Sequence, residues 1–201
     1  MNKLKSTVIA AAITTIFAAP ASAAVTIFSD NFDSYSPLTL NWTPPVASGW
    51  TVSSGTVDLI GTGFNDILPG NGNYIDLDGS TSNSGVFANS VNLISGVTYT
   101  LSFDLAGSQR GSTETVDINF GTASTSVTLG GSAPLTAYDL SFTPSASGVY
   151  GFSFENLGGD NVGLLLDNVS VSAVPEPETY AMLLAGLGML GFMLRSRKTN
   201  A

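Results

Sequence analysis

Val97-Thr98-Tyr99-Thr100-Leu101-Ser102-Phe103-Asp104-Leu105 alternates apolar and polar side chains without a break. Successive residues of a strand point to opposite faces, so this stretch buries Val, Tyr, Leu, Phe and Leu and turns Thr, Ser and Asp outward. The same period recurs in Thr115-Val116-Asp117-Ile118-Asn119-Phe120, in Gly49-Trp50-Thr51-Val52-Ser53 and in Thr56-Val57-Asp58-Leu59. β-Rich composition extends the reading to 73–77, 86–93, 124–129, 136–142, 149–155 and 163–172. Turn formers divide these runs, as in Gly70-Asn71-Gly72-Asn73, Gly130-Gly131 and Asn156-Leu157-Gly158-Gly159-Asp160. No stretch of ten or more residues in this region has helical period and helix-forming composition. About ten short antiparallel strands in one domain predict an all-β, two-sheet jelly-roll sandwich.

The domain spans 24–173, the length of a single folding unit able to bury about two-thirds of its unfolded surface. It contains no cysteine, so its stability rests on its core. From Val25 to Ala173 there are thirteen acidic residues and one basic residue, Arg110, a net charge of −12. Such a surface repels phosphate backbones, which excludes nucleic acid as a partner, and it attracts divalent cations.

Both ends carry targeting features. Lys3 and Lys5 precede an apolar run, Thr7 to Ala19, and the small residues Ala21-Ser22-Ala23. That order predicts a secretory signal peptide over 1–23, with the mature chain starting near Ala24. A retained N-terminal anchor is the other reading, weakened by the short run and by Pro20. At the C-terminus, Val174-Pro175-Glu176-Pro177 forms a stiff, non-helical linker, because each proline fixes its own φ and restricts its predecessor. The uncharged run Tyr180–Leu194 follows, and its 15 residues reach roughly 22 Å as a helix. Thr179 and Ser196 lengthen it, and Arg195, Arg197 and Lys198 snorkel, which predicts a transmembrane helix with a cytoplasmic basic end and an exported domain before it. A buried C-terminal core helix, the alternative, rarely ends in three cations within four residues.

This closing stretch, 174–201, resembles the PEP-CTERM sorting signal of Gram-negative bacteria. The signal joins a Val-Pro-Glu-Pro box, here Val174, Pro175, Glu176 and Pro177, to an apolar helix and a terminal basic cluster. The cluster here is Arg195, Arg197 and Lys198, with Ser196 interrupting it. The resemblance implies processing by an exosortase, a membrane protease-transpeptidase, at least transient residence in the inner membrane, and an association with exopolysaccharide.

The layout of the domain is similar to that of galactose-binding-like jelly rolls, which include many carbohydrate-binding modules. The marks are Asp30-Asn31-Phe32-Asp33 followed by Gly49-Trp50, then Gly72-Asn73-Tyr74-Ile75-Asp76-Leu77, and finally Leu165-Leu166-Asp167-Asn168-Val169-Ser170-Val171. Carried over by position, the resemblance implies Asp33 and Asp167 as ligands of a structural calcium ion. The alternative is that Asp33 caps a turn and Asp167 bonds the backbone at the last strand.

Catalysis finds little support in the residues. The chain has neither histidine nor cysteine, so Ser-His-Asp and Cys-His arrangements and the usual zinc sites are excluded. Asp76 with Asp78, and Asp104 with Ser102, share a strand face, an arrangement common on solvated sheets. Glu114 and Glu155 have no context that marks a general acid, and no enzyme is expected. Sugar binding would use exposed rings: Trp42, in the Pro-flanked loop Asn41-Trp42-Thr43-Pro44-Pro45, is the leading surface candidate, with Tyr74 and Tyr138 assignable to surface or core. Trp50, inside an alternating strand, is expected in the core. Two functions remain: a non-enzymatic surface or extracellular-matrix protein associated with exopolysaccharide, and a carbohydrate-binding module with a defined sugar site, calcium-stabilised if the implied ion binds.

Overall fold

A computed structural model describes residues 24–36, 38–174 and 186–189. The signal-peptide segment 1–23, Pro175, Glu176 and Pro177, and the basic residues Arg195, Arg197 and Lys198 lie outside the described residues. So does most of the apolar run; 186–189 are helical. Among the described residues no helix is long and apolar enough to cross a membrane.

The domain holds eleven strands: β1 Val25–Asp30, β2 Thr51–Ser53, β3 Asp58–Gly61, β4 Asn73–Asp76, β5 Val86–Leu93, β6 Tyr99–Ala106, β7 Glu114–Phe120, β8 Ala123–Leu129, β9 Thr136–Phe142, β10 Gly148–Asn156 and β11 Leu165–Ala173. They form two antiparallel sheets. One runs β3-β4-β11-β6-β9, with β1 also on β11, and the other runs β2-β5-β10-β7-β8. In β6, Tyr99, Leu101, Phe103 and Leu105 turn inward, as the alternation dictates. Val116, Ile118 and Phe120 of β7 and Phe152 and Phe154 of β10 meet them from the facing sheet in one buried core. The only other regular structure described in the domain is a 3₁₀ turn, Val46–Ser48, closed by Gly49 at φ 76°. A left-handed residue there favours glycine.

β1 departs from the sequence expectation, which began the sheet later. Its residues are mostly exposed and do not alternate cleanly, so period 2 gave no signal. The strand forms because β11 supplies a partner, from Val25 opposite Ala173 to Asp30 opposite Val169, with a bulge between Thr26 and Phe28. The bulge is where the alternation breaks.

At the end of β1 the chain enters an aromatic nest. Trp50 stacks on Phe87 at 4.1 Å and 7°, and Phe32, Phe28 and Phe152 surround the pair. Asp30 anchors this corner, accepting the Trp50 indole N–H at 2.9 Å, the Tyr35 hydroxyl at 2.5 Å and the Phe32 backbone N–H at 2.9 Å. A second small core lies on the outer face of the β3-β4-β11-β6 sheet. There Ile60, Tyr74, Ala106 and Leu165 are roofed by Ile67, Leu68 and Leu135.

Candidate functional site

Two places gather the candidate residues of the sequence, and a third is added by the fold. At the first corner, the turn after β1 carries Asp33 and β11 carries Asp167. Asp33 accepts the Asn73 backbone N–H at 2.8 Å and the Asn31 side-chain amide at 2.9 Å. Asp167 accepts the Asn71 amide at 2.7 Å and the Asn168 backbone N–H at 2.6 Å. The turn-capping and backbone-bonding roles of the alternative reading are thus both present. Burial pushes the Asp167 carboxyl up to about 7, and the carboxylates of Asp33 and Asp104 add to the rise, while the Asn168 and Asn71 hydrogen bonds oppose it. Gly72, at φ 78°, passes so close to the Asp33 carboxylate that a Cβ there would collide with it.

Amide and backbone N–H groups hold both carboxylates, and the Asp33 charge acts on Asp167 beside a glycine that leaves the Asp33 carboxylate room. Among the described residues no three acidic, histidine or cysteine side chains converge as a metal centre. The remaining ligands of a six- to eight-coordinate ion there would be amide or backbone oxygens and water.

The second place corrects the sequence expectation for the aromatics. Trp42 is not a surface ring: it is 6% exposed and packs between Tyr35, at 5.0 Å, and Phe87, at 6.2 Å. Its flanking prolines shape the loop, but burying a ring of this size against the aromatic nest outweighs the loop's surface course. Tyr74 is fully buried under the 62–72 loop. Its hydroxyl accepts the Ile67 and Leu68 N–H groups at 2.6 and 2.8 Å and donates to Asp66 at 3.1 Å. Tyr138 packs against the core, stacked on Phe103 at 6.0 Å. Trp50 is buried, as expected. Among the described residues Phe64 is the one exposed aromatic. Trp42 and Trp50 still line, by an edge, a groove of about 390 Å³ walled by Asn41, Thr43, Pro44, Val46 and Thr51.

The third place was not read as a site in the sequence. Asp58 and Asp76 line a cleft of about 270 Å³ with Asn65, Ser80 and Arg110. Arg110 forms an ion pair with Asp76 and donates to the Asn161 carbonyl at 2.6 Å. Asp58 accepts the Asn41 N–H at 2.6 Å and the Ser80 hydroxyl at 2.7 Å. Each carboxylate therefore ties loops to the sheet. A sequence signal existed in the alternation that put Asp58 on the face opposite Leu59, but the pairing partner lies 18 positions away in the chain.

With this geometry in view, the chain belongs to the class of all-β jelly-roll sandwiches followed by a sorting tail. Residues 173–198 match the PEP-CTERM protein-sorting motif, so the chain carries that motif directly after its last strand. No curated protein sequence matches the chain. Among solved structures it is similar to an arabinose-bound GH51 α-L-arabinofuranosidase, with 18% identity and a TM-score of 0.50 over 75% of this chain and 26% of that one. It is also similar to a xylan-binding domain from CBM 22, with 13% identity and a TM-score of 0.49 over 75% and 96%. A CBM22-1 xylan-binding domain from Paenibacillus barcinonensis gives 11% and 0.47 over 78% and 99%. The likeness is one of fold. The chain spans about a quarter of the length of the arabinofuranosidase.

Proposed function

We propose that this is an exported, non-enzymatic protein, delivered to the cell surface or extracellular matrix through its C-terminal signal and associated there with exopolysaccharide. The observation that carries the reading is the position of the motif: β11 ends at Ala173, and the match begins at that residue. An exosortase-type enzyme of the inner membrane is the processing partner. The domain needs no catalytic group for this role, and the carboxylates of the Asp58–Asp76 cleft are engaged in tying loops.

The burial of Trp42 and Tyr74, and the packing of half-buried Tyr138 on Phe103, argue against a site built on open ring stacking. Contact with a glycan falls instead to the groove beside Trp42, where Asn41, Thr43 and Thr51 offer amide and hydroxyl groups next to an apolar edge. Asp33, in the turn after β1, and Asp167, on β11, hold a structural calcium ion. Affinity electrophoresis of the full chain in gels containing the producing cell's exopolysaccharide tests the glycan contact. Retardation that falls on Val46→Asp, a substitution at a 97% exposed position, supports it. Equal mobility with and without polysaccharide contradicts it.

A further inference from the structure

Asp78 is fully buried, and its Oδ1 has no hydrogen-bond partner among the described residues. Glu114, at the start of β7, is also buried. The space between them is set by Gly158. A Cβ built on that glycine would lie 2.6 Å from Asn156 Nδ2, 2.9 Å from Asp78 Oδ2 and 3.2 Å from Glu114 Oε2. Three polar atoms from three separate segments thus converge on one small space that exists because residue 158 has no side chain.

We propose that Asp78 and Glu114 form a divalent-cation site of the calcium class, closed by the exposed Gly158-Gly159 turn and independent of Asp33 and Asp167. Buried carboxylates are paired with a cation or neutralised, because desolvating an isolated charge is costly. No side-chain cation serves here. The domain's single basic residue, Arg110, is spent on Asp76 and the Asn161 carbonyl. Asp160 adds negative charge: its backbone N–H donates to Asp78 Oδ2 at 3.3 Å, while its own carboxylate accepts the Val162 N–H at 3.1 Å.

The two proposed ligand atoms, Asp78 Oδ2 and Glu114 Oε2, are carboxylate oxygens, which suit calcium rather than a softer metal. Asn156 accepts the Leu164 N–H through Oδ1 at 3.2 Å, which turns Nδ2 into the nook without a partner. A water on the ion accepts from that amide and completes its bonding, since calcium sites keep water among six to eight ligands. Residues 157–161 are exposed, so the glycine turn is also the way in.

Calorimetric titration of calcium into the chelator-treated full chain in detergent tests the site. Glu114→Gln removes one ligand charge at nearly constant shape. Gly158→Ala keeps both carboxylates and fills the space, at a glycine whose backbone is not left-handed. The expected result is that each variant binds one calcium equivalent fewer than the wild type, and that Asp33→Asn keeps the equivalent that Glu114→Gln loses. Affinity in the range of extracellular modules, about 10⁻⁴–10⁻³ M, is expected. Unchanged stoichiometry and affinity in both variants would overturn the proposal, as would a wild type whose entire calcium uptake disappears in Asp33→Asn. A single wild-type equivalent that is lost in Glu114→Gln and kept in Asp33→Asn supports the site and counts only against the first corner.

Discussion

Asp58 and Asp76 lie directly opposite each other across β3 and β4, and the ion pair with Arg110 is made by Asp76. Like charges opposite one another on a sheet are destabilising, so the pair persists because hydrogen bonds and one guanidinium compensate it. For Asp76 the compensation is partial. Burial raises its carboxyl to about 7, Arg110 pulling it down and Asp58 pushing it up.

That shift fixes a pH dependence. Below the unfolded value near 3.8 both states hold the proton. Between there and about 7 the folded state binds it more tightly, so stability falls as pH rises through this window and levels off above it. Asp167, also raised to about 7, acts in the same direction, so the wild type is expected to melt at a higher temperature at pH 4 than at pH 7.5. Asp76→Asn removes the proton in both states and should flatten that fall. Thermal unfolding followed by circular dichroism at the two pH values checks this, and an equal fall in variant and wild type would contradict it.

The Trp50–Phe87 stack is the centre of the aromatic nest. Phe87 is fully buried and touches Phe32, Trp42 and Trp50. Phe87→Ala should cost about 3–5 kcal/mol, the usual loss for a large buried ring. Guanidinium unfolding followed by tryptophan fluorescence measures it directly, since Trp50 and Trp42 both report on this contact. A cost below about 1 kcal/mol would mean that the nest repacks freely.

Gly72 tests the first corner. Alanine there adopts a left-handed φ at a cost of roughly 1–2 kcal/mol, and its Cβ strikes the Asp33 carboxylate. Gly72→Ala should therefore lower the melting temperature by several degrees and blunt the rise that calcium produces over chelator. A variant that melts and responds to calcium like the wild type would separate Asp33 from any ion.

The strands were legible where one face is buried and the other wet. Val97–Leu105 announced β6 because every second residue enters the core; the same period marked β2, β3 and β7, and β-rich composition between turn formers marked six more. β1 was not legible, since its residues are mostly exposed and β11, far along the chain, decides its state. Trp42 was misplaced for a related reason: prolines state where a loop runs, but not that its ring folds back onto Tyr35 and Phe87. The Asp78–Glu114 nook had no local signal at all. Its residues are spread over three segments, and only the fold brings Gly158 against them.

The central claim, that the chain is sorted to the surface through its C-terminal signal, is tested most directly by mass spectrometry of the mature C-terminus of protein recovered from the cell exterior. Sorting with processing predicts a terminal peptide that ends within or just after Val174-Pro175-Glu176-Pro177, with no peptide containing Arg197 and Lys198. Exterior protein that retains the intact tail through Arg195, Arg197 and Lys198 would contradict it.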